Sequence, residues 1–271
     1  MTKILQISDT HIVPEGELAY EKVDTAAALA DTVATINRLL PQIGPVDLVI
    51  VTGDLTEHGT PEEYRHFQDI VSNLDVPCRA VPGNHDRREA MRESFSNANW
   101  MPATGPIGWI AEFADCITVG LDSLVEGKAH GALDGDTRHF LQNALARSGG
   151  KPVLIGLHHP PYAAGIAAMD AQNLIDPTPL LSAITDYPGE IRLVCGHLHR
   201  SITGIFGGRI CQVCPGTSHA VTLDHRAAAE NSLTMEPGGM LLHEIREGAF
   251  LTHWIPVGRF QGPYPFAGFE P

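Results

Sequence analysis

Five short motifs place metal-binding side chains at intervals along the 271-residue chain: Asp9-Thr10-His11, Gly53-Asp54, Gly83-Asn84-His85-Asp86, His158-His159 and Gly196-His197-Leu198-His199. Each directly follows an apolar run that reads as a buried strand. Carboxylate, amide and imidazole groups are ligands for hard and borderline divalent cations, and strand ends bring sequence-distant residues to one sheet edge. Together they supply enough donors for two metal ions. Two such ions, roughly 3.5–4 Å apart, clamp a phosphate, acidify a bound water and stabilise the leaving oxygen. Their mutual repulsion calls for an anion between them. Asp54 is the natural bridge, because Gly53 permits a tight turn out of the run at 47–52. In Gly196-His197-Leu198-His199 the two imidazoles share a side if the segment is extended; in a tight turn each can serve a different ion.

The elements that must position these groups are legible as periodicity. Strand-like runs at 3–8, 47–52, 78–81, 116–121, 153–158, 191–195, 202–206 and 209–214 alternate with helical patterns in the first two thirds of the chain. Residues 24–40 carry Leu29, Val33, Ile36 and Leu40 at helical spacing, with Pro41 as the predicted stop. Thr60-Pro61-Glu62-Glu63 reads as a helix start, with Thr60 as cap and Glu63 three positions on. Residues 136–147, with Phe140, Leu141 and Leu145, form a further helix. Residues 239–245 and 249–255 flank Arg246-Glu247-Gly248 as a hairpin. The switch from alternation to hairpins predicts two sheets face to face with helices outside.

The set Asp-x-His, Gly-Asp, Gly-Asn-His-Asp, His-His and Gly-His-x-His resembles the calcineurin-like binuclear metallophosphoesterase superfamily over residues 4 to about 220. The wider strings Gly53-Asp54-Leu55-Thr56-Glu57-His58-Gly59, Pro61-Glu62-Glu63-Tyr64 and His158-His159-Pro160-Pro161 are similar to the branch of class III cyclic-nucleotide phosphodiesterases and bacterial glycerophosphodiesterases. Gly165-Ile166-Ala167 with Met169-Asp170 leans toward the glycerophosphodiesterases. The resemblance implies a four-layer α/β/β/α sandwich of two mixed sheets. It further implies that Asp9, His11 and His199 hold one metal ion, that Asn84, His158 and His197 hold the other, and that Asp54 bridges them. The ions are of the Fe, Mn, Zn or Co class, divalent or mixed-valence, with a bridging hydroxide as nucleophile. His85 contacts the phosphate together with Asn84 and protonates the leaving group or stabilises its charge. His159 stands behind His158. Asp86 is expected to orient His85, and His219 resembles a position near the substrate. His58 departs from the common pattern at a place that bears on substrate.

Composition fits an enzyme with one large α/β domain spanning 1–271, trimmed by a lid or oligomer segment at 160–179 and a C-terminal hairpin and tail at 239–271. Substrate choice is expected in the rim segments 13–23, 160–179 and 217–231. Arg87, Arg88 and Arg200 adjoin the motifs; solvated helix starts explain them as well as phosphate contacts do. The apolar tail at 262–269 is expected to dock on its own sheet or on a neighbouring subunit. His66, His130, His139, His225, His243 and His253 lack partners at suggestive spacing and read as surface or core residues. Five cysteines form no disulfide framework, and Cys211 and Cys214, like Cys195, read as small core residues on strands. Net charge is −14, with 18 basic against 32 acidic residues, which disfavours a nucleic-acid polymer as partner. No run approaches a membrane span and the first residues do not form a signal peptide, so a cytoplasmic location and no membrane partner are expected; the resemblance to the glycerophosphodiesterases implies a homo-oligomer.

The predicted activity is metal-assisted hydrolysis of a small phosphodiester, a cyclic nucleotide or a glycerophosphodiester. A phosphomonoesterase on the same centre, a nuclease, and a metal-bound scaffold without turnover are the competing readings.

Overall fold

The apolar runs pair into two mixed sheets. The structure, a computed structural model, describes residues 1–266. Lys3–Ile7 (β1), Leu48–Val51 (β2) and Cys78–Ala80 (β3) lie parallel. Trp109–Glu112 (β4), Ile117–Gly120 (β5), Val153–Gly156 (β6), Ile191–Cys195 (β7), Ile202–Phe206 (β8) and Arg209–Val213 (β9) form a second sheet in the order β4-β5-β6-β7-β9-β8, parallel at its centre and antiparallel at both edges. Ala220–Val221 (β10) and Leu233–Thr234 (β11) make a small separate pair. Gly239–Arg246 (β12) and Ala249–Pro256 (β13) complete the first sheet in the order β13-β12-β1-β2-β3. Their hairpin turns through Glu247 and Gly248, both at positive φ, the geometry that matches strand twist.

Side chains alternate between faces along a strand, and both faces of each central strand are covered, hence the continuous apolar runs. Ile4, Leu48 and Ile50 pack toward Leu154 and Val194 between the sheets. Leu5, Ile7, Val49 and Val51 face the other way, onto the helices Thr25–Ile43 (α1), Pro61–Val71 (α2) and Arg88–Ser94 (α3) through Leu29, Ile36, Phe67 and Met91. On the far side Val119, Ile155 and Leu193 pack against Gly135–Arg147 (α4) and, beyond the short Ala167–Asp170 (α5), Thr178–Thr185 (α6) through Leu141, Leu180 and Ile184. The result is the expected four-layer α/β/β/α sandwich. Among the described residues no helix is long and apolar enough to cross a membrane.

The differences from expectation are local. Pro41 does not stop α1; it sits in the last turn, where its ring removes only one hydrogen bond, and the helix runs on to Ile43 with Gly44 closing it at positive φ. Strand β4 carries too little periodicity to be read, yet the Trp109 indole N–H donates to the Ala80 carbonyl, 2.7 Å, over a surface kept clear by Gly120. Of the tail, Tyr264 and Phe266 are exposed and so do not pack on the chain's own sheet, and the remainder of its predicted stretch, from 267 on, lies outside the described residues. The cysteines are unpaired, with Cys195 and Cys211 meeting Sγ to Sγ at 3.7 Å inside the core. His243 is likewise a core residue, bonded to Gln6 and Thr252.

Helix α2 is fixed at its start by the capping box of Thr60 and Glu63 and reaches the loop after β3 through Tyr64. The buried Tyr64 hydroxyl donates to Asp86 Oδ1, 2.9 Å, and accepts the Arg87 N–H, 3.0 Å. Tyr64→Phe orphans the Arg87 N–H and takes one of several donors from Asp86, so we expect it to lower the unfolding free energy by about 2 kcal/mol; a change below a few tenths in urea titrations would show that this tie carries no load.

Candidate metal centre

Parallel pairing puts the carboxyl ends of β1 and β2, and of β6 and β7, on the same edges of their sheets. The motifs begin one to three residues beyond those ends. The two edges close on each other because Gly196 has no Cβ; an added one would collide with Ser8 Oγ and the Asp9 carboxylate. Asp9, His11, Asp54, His197 and His199 all adopt positive φ, between 44° and 73°. Left-handed backbone costs a non-glycine residue about 1 kcal/mol or more, so five in one cluster represent strain on the order of 5 kcal/mol. Backbone bonds hold part of it: Asp9 N–H donates to Gly53 O, and His11 N–H to Asp54 O, at 3.1 and 3.0 Å.

These turns aim the side chains inward. Asp9, His11, Asp54 and His199 converge in one buried group, and His158, His159 and His197 in a second, with Asn84 between His158 and His197. Asp54 Oδ2 touches both groups, 3.6 Å from His11 Nε2 and 3.2 Å from His158 Nε2. His197 N–H donates to Asp9 Oδ1, 2.9 Å, locking the second sheet's loop onto the first.

Proton bookkeeping tests whether this donor set fits metal ions. The His11 Nδ1–H donates to Glu57 Oε2, 2.7 Å, and the His158 Nδ1–H to Thr52 O, 2.8 Å, so each Nε2 faces the cluster and presents a lone pair there once its proton is displaced. The His158 lone pair then faces Asn84 Oδ1 at 3.1 Å and Asp54 Oδ2 at 3.2 Å. His11 Nε2 faces His199 Nε2 at 3.1 Å, while Asp9 Oδ2 is buried without a hydrogen-bond partner. Acceptors meeting acceptors out of water are stabilised by a cation, and mixed oxygen and imidazole donors suit Fe, Mn, Zn or Co. The buried Asp/His cluster fits a binuclear metal site.

The electrostatics agree. Burial opposes charge on His11 and His158, but the hydrogen bond His11 gives to Glu57 and the charge of Asp54, respectively, raise both to about 9. Carboxylates that draw a proton this strongly draw a metal ion by the same field. Burial likewise opposes charge on Asp54, yet His158 and His85 hold it well below the usual carboxylate range. Burial raises Asp9 to about 6. Burial, reinforced by neighbouring imidazoles, lowers His197 to about 3 and His219 to about 4, and carries His199 well below its ordinary value, which leaves these rings neutral.

His85 stands at the open side, one third exposed, its backbone N–H donated to Asp54 Oδ1 at 2.9 Å. Its orientation does not come from Asp86. The Nδ1–H donates to the Glu57 carbonyl, 2.8 Å, with the Glu57 carboxylate 3.6 Å away. Asp86 turns inward instead, where it accepts the N–H groups of Leu55 and Gly83 and the hydroxyls of Thr56 and Tyr64, and so braces the loop. Behind His158, His159 is held by Ser123 at 2.8 Å, with its ring 4.9 Å from that of His197.

A cavity of about 230 Å³ opens over the centre. All three rim segments reach it: Tyr20 from the first, Met169 and Gln172 from the second, and His219 and Asn231 from the third, the last continuing through Ser232 and Leu233. His219 packs 4.6 Å from His199. Arg88 and Arg200 are not available to a phosphate, being paired with Asp122 at 2.6 Å and Glu236 at 2.8 Å. The residue that sequence reasoning missed is Glu57, which ties His11, His85 and Tyr20 together; its only signal is its place three residues after Asp54.

Comparison with known proteins accords with this geometry. A relative named probable glycerophosphodiester phosphodiesterase GpdQ, from Arcobacter nitrofigilis, is 39% identical across 97% of this chain and 96% of its own. The 3',5'-cyclic adenosine monophosphate phosphodiesterase CpdA of Escherichia coli is 30% identical over 96% of this chain and 92% of its own. A dimetal phosphatase from Danio rerio shares the fold, with a TM-score of 0.63 and 14% identity over 95% of this chain and 99% of its own. The family model described as calcineurin-like phosphoesterase matches residues 2–201, and the chain belongs to that family.

Proposed function

We propose that the protein is a metal-dependent phosphodiesterase acting on small phosphodiesters, with glycerophosphodiesters favoured over cyclic nucleotides. The observation that carries the reading is the complete, buried donor cluster with Asp54 touching both halves and His85 at its open side. Membership of the family and the names of the relatives, glycerophosphodiester and cyclic-nucleotide phosphodiesterases, support it; the higher identity to the former sets the order. Two metal ions, held by Asp9, His11 and His199 and by Asn84, His158 and His197 with Asp54 shared, would supply an acidified water and charge neutralisation at the phosphoryl group.

The chain's own residues do the rest. Glu57 O accepts from His85 Nδ1, which leaves Nε2 as the atom that meets the substrate and, when the ring carries its second proton there, passes that proton to the leaving alkoxide. Asn84 and His85, on one turn, position the phosphate. His219 is neutral in its wall of the cavity and offers a hydrogen bond rather than a charge. The cavity is walled by Tyr20, Met169, Gln172 and Asn231 and by no lysine or arginine. That suits a monoanionic diester with an uncharged arm better than a dianionic monoester.

Hydrolysis of bis(p-nitrophenyl) phosphate should rise as apo-protein is titrated with Mn²⁺ and exceed that of p-nitrophenyl phosphate by tenfold or more. Preference for the monoester would make the protein a phosphomonoesterase, and silence toward both with two ions bound would leave a scaffold. In the variants, Asp54→Ala should lose binuclear metal content and turnover together. His85→Ala should keep both ions in elemental analysis and lose about 10²–10⁴ in kcat. Normal occupancy in Asp54→Ala would falsify the bridging role.

A further inference from the structure

A second groove, of about 280 Å³, adjoins the centre. Asn84 and His85 line both it and the central cavity, so a phosphate seated on their turn has one hollow for each ester arm. The two hollows differ in charge. The central cavity contains no lysine or arginine, whereas the groove is walled by Arg87 and Lys128, with His58 and one acid, Glu57, beside them. We infer that this groove is an anion-binding subsite, and that the substrates this enzyme prefers are phosphodiesters whose one alcohol arm carries a further anionic group, a carboxylate or second phosphate. This rests on the phosphodiesterase reading above and narrows its substrate class.

Of the chain's 18 basic residues, Lys3, Arg88, Arg92, Arg147, Arg192, Arg200, Arg226 and Arg246 each have a carboxylate within 4.0 Å, and the other ten have none among the described residues. Arg87 and Lys128 belong to the unpaired group, and both line the groove that meets Asn84 and His85. Two uncompensated cations beside the catalytic turn of so acidic a protein are positioned where an anion would be recognised. Arg87 is also held in place. Its N–H donates to Tyr64, its Nη1 to the Asp86 carbonyl at 3.1 Å, and its stem lies against Gly59, where any Cβ would displace it. The acids nearby are engaged: Glu57 with His11 and Tyr20, Glu63 with His58 and Glu126 with the Arg88 N–H. A preset guanidinium and a mobile ammonium make a suitable clamp for a carboxylate or phosphate.

The test compares two phosphomonoesters that differ by one carboxylate, O-phosphoserine and O-phosphoethanolamine, as inhibitors of bis(p-nitrophenyl) phosphate hydrolysis by the Mn²⁺-loaded protein. Phosphoserine should bind five- to tenfold more tightly at low salt, and the ratio should shrink toward one in 0.5 M NaCl. Lys128→Ala and Arg87→Ala should each compress the ratio at least threefold, and Lys128→Arg should restore it. Equal affinities in the unaltered protein, or a ratio that neither alanine variant moves, would overturn the subsite while leaving the diesterase intact. If the diester is not turned over, calorimetric titration of the metal-loaded protein with the same two compounds reads the same ratio, so the two readings fail separately.

Discussion

Acceptor atoms crowded together out of water are the constraint around which this molecule is arranged. His11 and His158 spend their Nδ1–H groups on Glu57 and Thr52, and what remains is a buried shell of oxygen and nitrogen acceptors pointing at one another. Such a shell calls for cations, and in the polypeptide alone protons on His11 and His158, both raised to about 9, answer that call. A pair of divalent ions converts the same contacts into ligation, so metal affinity and fold stability are coupled. The second shell carries the selectivity for that outcome. Backbone carbonyls and Glu57 fix the tautomers, and neutral His197 and His199 are kept neutral by burial.

The backbone is bent to reach that arrangement. Five candidate ligands sit in the left-handed region, and Gly53 and Gly196 occupy the places where no Cβ fits. The strain is tolerable because both sheets are rigid on either side of it. Their inner faces share one apolar layer, and their outer faces are each covered by helices. The centre is thus a seam between two halves, closed by the bond from His197 N–H to Asp9 and by the contacts of Asp54 with both groups.

Most of this seam was legible in the sequence. The motifs follow apolar runs long enough to be buried strands, and strand ends are where sequence order becomes spatial convergence. Adjacency in the chain was the weaker guide. Asp86 follows His85 yet faces the opposite way, because its carboxylate closes back on the Gly83 N–H. Glu57 supports three functional side chains, but nothing distinguishes it in a loop of polar residues until the loop's turn is known. Pro41 misled in the same manner, since a proline in the last turn of a helix costs too little to end it. Strand β4 was missed because four residues at a sheet edge, starting with a tryptophan after a glycine, show no period.

Charge distribution decides how such a centre selects a substrate. An overall charge of −14 repels every phosphoester at long range, so attraction must be local. At the centre itself the bound ions would supply it, which favours any phosphate equally and distinguishes none. Discrimination therefore falls to the two hollows that meet at Asn84 and His85, one without lysine or arginine and lined by amide, hydroxyl and thioether groups, the other with Arg87 and Lys128. A diester lies across both. Its scissile phosphorus is fixed by the turn between them, and the chemistry of each arm is read on its own side, which is how one metal centre can serve relatives with different diesters while the loops around it set the choice.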